Sequence, residues 1–199
     1  MMLDWLKNIN REYPEFWKSY LAKFERKPSR YTSLHGEKSG GDPNKDVIYS
    51  LSAFSLVNGQ LLVGDNFEAA LLQYKFLHDN GFSNEFLVKS TLPKMTEQQA
   101  VEAFVDFLGN SILVGHRIHI LVDMINESLE KMACGRLKNE ALDIEIMYRK
   151  WKDSDGAFSI AEIATGLKIP YSDAPTVSEE AYVIGLAFLK LKTRLHLQE

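Results

Sequence analysis

Two histidines three residues apart form the most obvious metal-binding pattern in this chain. His116 and His119 stand in "GHRIHILVDMIN", and two imidazoles at this spacing can ligate one metal ion. A short motif without its structural context is weak support for a metal site. A second pattern, "DSDG" at 153–156, looks like the start of a calcium loop, but its glycine comes too early and a turn is the better interpretation.

The overall charge disfavours one class of function. The chain has 199 residues, with 27 acidic against 23 basic side chains and a formal net charge of −4. Proteins that bind nucleic acid by themselves usually carry a basic surplus, because phosphate contacts supply much of the affinity. Strong stand-alone binding of nucleic acid is therefore not expected, although a local basic groove is compatible with this total.

The single cysteine and the hydropathy pattern indicate a cytoplasmic protein with no membrane partner. Cys134 is the only cysteine, so an internal disulfide is excluded and a reducing compartment fits. No stretch approaches the roughly 20 apolar residues of a membrane span. The N-terminal stretch "MMLDWLKNIN" includes Asp4 and Lys7 and lacks the apolar segment of a signal peptide.

Residues 1–27 are predicted to form a helical arm outside the main domain, which is expected to span 28–199. Pro14 suits the first helical position, and an apolar stripe follows it: Phe16, Trp17, Tyr20, Leu21 and Phe24. We expect this stripe to dock on the domain or on a second copy, since so many exposed aromatic side chains would form a large apolar patch. The next stretch, 27–46, is rich in glycine, serine and proline and predicts mostly loop.

A β-hairpin is predicted over residues 47–64. Apolar residues alternate with serines before Asn58-Gly59, and both turn residues tolerate a positive φ angle. A strand is expected to precede this hairpin. The segment 66–95 is harder to interpret, and "FEAALLQYKFLHD", residues 67–79, has a helical pattern.

Helix and strand signals alternate in the second half of the chain. Three capping boxes predict helix starts: Thr96/Gln99, Ser159/Glu162 and Thr176/Glu179. "SILVG" indicates a buried strand, an amphipathic helix follows it, and 141–151 predicts a short strand or a helix. The hairpin makes part of the sheet antiparallel and the later alternation makes the rest parallel, so the predicted fold class is α/β, a mixed sheet with flanking helices.

Five stretches in this order resemble the DEDDh family of 3′→5′ exonucleases, the group of the DNA polymerase III epsilon subunit. They are "GDPNKDVIYSLSAFSLVNGQL", "SILVGHRI", "KNEALDIEIMYRKW", "FSIAEIATGLKIP" and "EEAYVIGLAFLKL". The resemblance covers about residues 30–195. It implies a ribonuclease H-like fold and a role in nucleic-acid metabolism. It also implies an active site of four carboxylates and one histidine, in which two divalent metals clamp the scissile phosphate.

Most of the positions that this family uses for catalysis are replaced. In the first motif, D-x-E-T-T-G, this chain has "HGEKSGG", so His35 takes the place of the aspartate and Glu37 keeps that of the glutamate. Leu121 takes the place of the aspartate of the second motif. In the third motif, H-x-A-x-x-D, Pro175 replaces the histidine and Glu180 replaces the aspartate.

The resemblance also bears on the two histidines and on cofactors. It places His116 and Arg117 beside the substrate groove and His119 at a variable position, which disfavours a metal held by the histidine pair. Only Glu37 and Glu180 remain as metal ligands, so the implied cofactor is none, or one weakly bound Mg²⁺ or Mn²⁺. Plainer interpretations stay open: Glu37 as a solvated loop carboxylate, Arg117 as a surface arginine, and Glu180 as an acid that interacts well with the first turn of a helix.

Three functions from different classes are compatible with these residues. The first is a catalytically inactive exonuclease homologue with a binding or scaffold role, whose partner is weakly bound single-stranded nucleic acid or a protein. The second is an active metal-dependent 3′→5′ exonuclease with a rearranged site, and the third is a pure protein-interaction module. Leu121 offers a metal no lone pair and Pro175 cannot take a proton from water, so the first is expected over the second. The acidic net charge favours the third over strong nucleic-acid binding.

Overall fold

The computed structural model describes residues 12–73 and 89–197, which are built around a six-stranded sheet. The strands are β1 Tyr31–Lys38, β2 Ile48–Val57, β3 Gln60–Leu72, β4 Lys94–Thr96, β5 Ile112–Gly115 and β6 Ala141–Asp143. The α-helices of the described residues are α1 Glu15–Ala22, α2 Glu97–Leu108, α3 Ile118–Lys131, α4 Ile144–Lys152, α5 Ile160–Gly166 and α6 Val177–Arg194.

The sheet is mixed, which confirms the predicted fold class. Its strand order is β4-β3-β2-β1-β5-β6. Strands β1, β2 and β3 pair antiparallel, whereas the pairs β3–β4, β1–β5 and β5–β6 are parallel. Because β1, β5 and β6 run in the same direction, their carboxyl ends meet at one edge of the sheet.

The predicted hairpin between β2 and β3 is confirmed. Asn58 and Gly59 have φ angles of 50° and 72°, positive values that match the twist of two antiparallel strands. β3 then continues to Leu72, so the helix predicted over 67–79 is wrong for residues 67–72, and 74–79 lie outside the described residues. Alanine and leucine face both sides of this part of β3, and a fully buried strand cannot be told from a buried helix by periodicity.

Strand β1 lies where the composition predicted mostly loop. It occupies the middle of the sheet between β2 and β5, and the loop that follows is confined to residues 39–47. Thr32 and Ser33 of this strand are fully buried, so no apolar alternation marks it in the sequence. The Thr32 hydroxyl donates to the Ser111 hydroxyl at 2.8 Å, which compensates for its burial.

Two helical layers cover the two faces of the sheet. Leu34 belongs to the core with α1, α2 and α3, whereas its neighbour Ser33 faces α6 in the layer formed with α4 and α5. Gly185 allows α6 to lie very close to β1, because a Cβ at this position would be 2.8 Å from Ser33 Oγ. This close approach brings the first turns of α6 over the central strand.

The predicted helix starts agree with the structure. At Thr96, Ser159 and Thr176 the N-cap hydroxyl accepts from an amide in the first turn, and the side chain three residues on accepts from the N-cap amide. The sequence predicted either a short strand or a helix over 141–151. The structure has both, because strand β6 is followed directly by helix α4. No helix within the described ranges is both long and apolar enough to cross a membrane.

Helix α1 packs against the core that it shares with α2 and α3 through two aromatic side chains. Trp17 and Tyr20 are each only 1% exposed, and their rings stack with centroids 4.6 Å apart. The Tyr20 hydroxyl donates to Asn139 Oδ1 and accepts from the Lys138 backbone amide, both at 2.7 Å. Burial raises the pKa of Tyr20 to about 12, although the backbone hydrogen bonds at Lys138 and Asn139 act in the opposite direction. The helix is therefore held against the sheet layer by both packing and hydrogen bonds.

We expect Trp17→Ala to lower the free energy of unfolding by about 3–5 kcal/mol, because it removes a fully buried indole and leaves a cavity. Unfolding in urea, followed by circular dichroism, measures the change. Lys18→Ala, on the exposed side of the same helix, is the matched control and should change stability by less than about 0.5 kcal/mol. Equal small effects of both substitutions would show that α1 is not packed.

Candidate functional site

The carboxyl edge of β1, β5 and β6 carries most of the residues that the sequence singled out. His35 and Glu37 lie in the last half of β1, His116 and Arg117 directly follow β5, and Asp143 ends β6. In α/β sheets the crevice outside the carboxyl ends of parallel strands is the usual place for a ligand. The topology therefore places the candidate site at this edge.

An ion pair between His35 and Glu180 joins β1 to α6 at this edge. His35 Nε2 lies 2.7 Å from Glu180 Oε2, and the two side chains are 18% and 20% exposed. The Tyr171 hydroxyl donates to the other carboxylate oxygen, Oε1, also at 2.7 Å. Both oxygens of Glu180 thus have a partner within the protein.

The pKa values of this cluster follow from burial and pairing. Burial raises the pKa of Glu180, but its hydrogen bond and charge interaction with His35, helped by Tyr171 and His116, leave the pKa below its ordinary value. Burial and the neighbouring carboxylate both raise the pKa of Tyr171, so its hydroxyl stays protonated and keeps donating. Glu180 is therefore charged at neutral pH and held by two side chains.

The other predicted site residues lie close by in the chain but contact different groups. Glu37 accepts a hydrogen bond from the Ser50 hydroxyl of β2, its partner in the strand register. Leu121 packs at Gly36 from the α3 side, with Cδ1 2.9 Å from the place of a Cβ. Pro175 is half-buried and precedes Thr176, the N-cap of α6. The direct approach of Glu37 to Glu180 stays a prediction.

A second cluster at the same edge centres on Glu145, which the sequence did not single out. Its carboxylate is 4% exposed and accepts from Arg117 Nε at 3.0 Å, from Arg149 at 2.9 Å and from the Phe158 amide at 2.9 Å. The hydrogen bond from Arg117 lowers the pKa of Glu145 to about 2, against the effect of burial and with help from Phe158 and Arg149. The same contact raises the pKa of Arg117.

His116 lies between the two clusters. Its Nε2 is 2.7 Å from the Phe158 carbonyl oxygen and 3.8 Å from Glu145 Oε2, and its charge contributes to the lowered pKa of Glu180. His119 is exposed on α3. Within residues 12–73 and 89–197 there is no group of three or more His, Cys, Asp or Glu side chains that could hold a metal ion. The contacts of His116 are thus with a carbonyl and carboxylates.

Sequence reasoning missed Tyr171 and Glu145, which complete the two clusters. One local signal could have pointed to Glu145. Asp143 is the N-cap of α4 and accepts from the Glu145 amide, and an aspartate followed closely by a glutamate is typical of a helix start. The partners of Glu145 could not be predicted from the sequence, because Arg117 lies 28 residues and Phe158 lies 13 residues from it in the chain.

Solved structures share this architecture, whereas no protein-family model and no curated protein sequence matches the chain. The RNase domain of the yeast Pop2 protein matches with a TM-score of 0.64 and 11% identity, covering 89% of this chain and 82% of that one. Exonuclease I in complex with the inhibitor BCBP matches with a TM-score of 0.66 and 13% identity, covering 85% and 42%.

Exonuclease I from E. coli in complex with a dA16 oligonucleotide gives a TM-score of 0.63 at 11% identity, covering 83% of this chain and 41% of that one. This chain spans less than half the length of the exonuclease I chains that it matches. At such identities the likeness establishes the fold, which is the ribonuclease H-like fold of DEDDh-type 3′→5′ exonuclease structures.

We expect Glu145→Gln to destabilise the protein near neutral pH and far less in acid. The folded pKa of about 2 lies below the ordinary 4.5, so the stability from this carboxylate is fully present above 4.5 and is lost as the pH falls toward 2. The size of the contribution is on the order of 3 kcal/mol. Urea unfolding of both proteins across this pH range measures it. Glu140→Gln, at an exposed position, is the control and should leave the dependence of the unfolding free energy on pH unchanged. Similar losses of stability in both variants would contradict the contribution assigned to Glu145.

The coupling between His35 and Glu180 should appear in a double-mutant cycle. Unfolding free energies of His35→Ala, Glu180→Gln and the double variant should give an interaction energy of roughly 1–3 kcal/mol, because the pair is mostly buried and in contact. The exposed pair Lys18 and Glu15 is the control and should give about 0–0.5 kcal/mol. Additive effects at His35 and Glu180 would mean that the ion pair does not form in solution.

Proposed function

We propose that this chain is a catalytically inactive member of the DEDDh 3′→5′ exonuclease family, related to the DNA polymerase III epsilon subunit. In this proposal it keeps a binding or scaffold role in nucleic-acid metabolism in the cytoplasm. One observation carries the proposal, the ion pair of His35 and Glu180. These two residues occupy positions that the resemblance assigns to metal-binding aspartates.

The charge at these positions does not fit two divalent ions. Two such ions about 4 Å apart repel strongly and need dense negative charge around them. His35 supplies a nitrogen whose partner is already Glu180, and both oxygens of Glu180 are engaged by His35 and Tyr171. A metal at Glu180 would have to compete with these contacts.

The remaining positions of the family site add little to metal binding or proton transfer. Leu121 is 6% exposed and presents only carbon atoms. Pro175, where the family has the histidine that activates water, has no group that accepts a proton. Glu37 remains the best single ligand, and its carboxylate already accepts from Ser50. One weakly held Mg²⁺ or Mn²⁺ is the most that these residues support.

The nucleic-acid role is supported by the fold and by the ligands of its structural neighbours. Exonuclease I with this fold has been solved with a dA16 oligonucleotide and as an ExoI/SSB-Ct complex. The carboxyl edge of this chain keeps Arg117 and His116 beside the site, and Arg117 is half-exposed. We therefore propose weak binding of single-stranded nucleic acid, a protein partner, or both.

We expect no degradation of a 5′-labelled single-stranded DNA or RNA by the purified chain with Mg²⁺ or Mn²⁺. The physical reason is that the site has too little negative charge to hold two divalent metals and that Pro175 cannot accept a proton from the attacking water. Denaturing gel electrophoresis over long incubation measures turnover. Stepwise removal from the 3′ end that is abolished by Glu37→Ala would overturn this proposal and establish the active enzyme with a rearranged site.

Restoring activity should need several substitutions together. The variant with His35→Asp, Leu121→Asp, Pro175→His and Glu180→Asp is the informative one, because residues that act as a unit are strongly non-additive. Each substitution alone should give no activity. Gain of metal-dependent activity only in the combined variant would support an inherited but disabled site, whereas activity from a single substitution would contradict it.

A further inference from the structure

A basic face lies at the far end of the molecule from the candidate site. It consists of four exposed cations at the carboxyl ends of α4, α5 and α6: Lys152, Lys168, Lys190 and Arg194. Arg194 is 14 residues after Glu180 on α6, which corresponds to about 20 Å along the helix axis. This surface is therefore separate from the edge that carries His35 and Glu180.

Contacts between the three helices hold these cations on one face. The Arg194 guanidinium lies over the ring of Trp151 at 4.2 Å, and Lys152 Nζ lies 4.8 Å from the same ring. Lys190, one helical turn before Arg194, donates to the carbonyl oxygens of Leu167 and Lys168 at 3.0 and 3.2 Å. The α4, α5 and α6 ends are thus tied together, and their cations form one surface.

The charge of this face is not neutralised by ion pairs. Among the described residues none of the four cations lies in a salt bridge, in contrast to Arg149 of α4, which binds Glu145. Two exposed acids, Asp153 and Asp155, follow Lys152 in the chain, and subtracting them from the four cations leaves a surplus of two positive charges. The three helix ends carry about half a negative charge each, which is less than this surplus. A chain with a net charge of −4 thus concentrates positive charge at one end.

We propose that this basic face binds the phosphodiester backbone of a single-stranded nucleic acid without a divalent metal. This inference rests on the proposed role in nucleic-acid metabolism. Cations at Lys190 and Arg194 are spaced by four helical residues, about 6 Å apart, and can follow successive anionic groups. Arg194 and Lys152 already lie over Trp151, so base stacking on that ring would displace them. The contacts are therefore with phosphates and independent of base sequence.

The test is binding of a fluorescein-labelled single-stranded oligonucleotide in EDTA, followed by fluorescence anisotropy from roughly 50 to 200 mM salt. The test variant is Lys152→Glu/Lys190→Glu/Arg194→Glu. The control is Lys18→Glu/Lys94→Glu/Lys138→Glu, which has the same net charge but changes exposed lysines on other surfaces. Thermal unfolding checks that all proteins fold. If the test variant fails to fold, Lys152→Glu/Lys168→Glu replaces it, because it leaves the contacts of Lys190 and Arg194 in place, and Lys18→Glu/Lys94→Glu is then its control.

We expect the test variant to bind roughly tenfold to hundredfold more weakly, and the slope of log Kd against log salt to fall in magnitude by about two. The control should keep nearly the affinity and slope of the unmodified chain. Equal losses in both variants, unchanged binding by the test variant, or no binding by the unmodified chain would overturn the inference. Equally strong competition by polyglutamate would also overturn it, since it would indicate a general site for acidic chains. Nuclease turnover, by contrast, would overturn the proposed function and leave this result intact.

Discussion

The alternation of side chains along β1 controls which residues can meet at the carboxyl edge of the sheet. Successive residues of a strand point to opposite faces, so Leu34 enters the layer with α3 while Ser33 and His35 face α6. A shift of one residue in the register of β1 would point the His35 side chain into the apolar core below α3 and the Leu34 side chain toward Glu180. Pairing of β1 with both β2 and β5 fixes the register, and Gly185 lets α6 lie close enough for the two charged side chains to touch.

Given this register, the site satisfies its buried charge without a metal. A mostly buried carboxylate requires an opposite charge or several hydrogen bonds, and both oxygens of Glu180 have a partner, His35 Nε2 and the Tyr171 hydroxyl. A lone aspartate at position 35 would face Glu180 with a like charge. His35 and Glu180 therefore suit each other as neighbours, whereas two acids at these positions would repel.

The parts of the structure that local chemistry determines were predictable from the sequence. The capping boxes, the Asn58-Gly59 turn and the mixed sheet follow from short-range signals. A strand before the hairpin was expected, but the bounds of β1 were not predictable, because Thr32 and Ser33 are buried polar residues and the partner of Thr32 is Ser111, far along the chain. The site positions came from the resemblance, whereas the contacts of Glu180 and Glu145 depend on tertiary structure. The net charge of the sequence likewise does not predict which positive side chains lie together on the folded surface.

Helix α6 joins two sites of opposite character, and this bears on what binding can achieve. Near its amino end the Glu180 carboxylate is held by His35, and near its carboxyl end Arg194 belongs to the basic face. Binding energy from a remote surface accelerates a reaction only when it is used in the transition state. In the proposed function no pair of metals stabilises a cleaved phosphate, so contacts at the proposed basic face would stabilise only the bound ground state. On this proposal a bound strand would stay intact, and the fold that positions a substrate for cleavage in an exonuclease would hold a nucleic acid without cutting it.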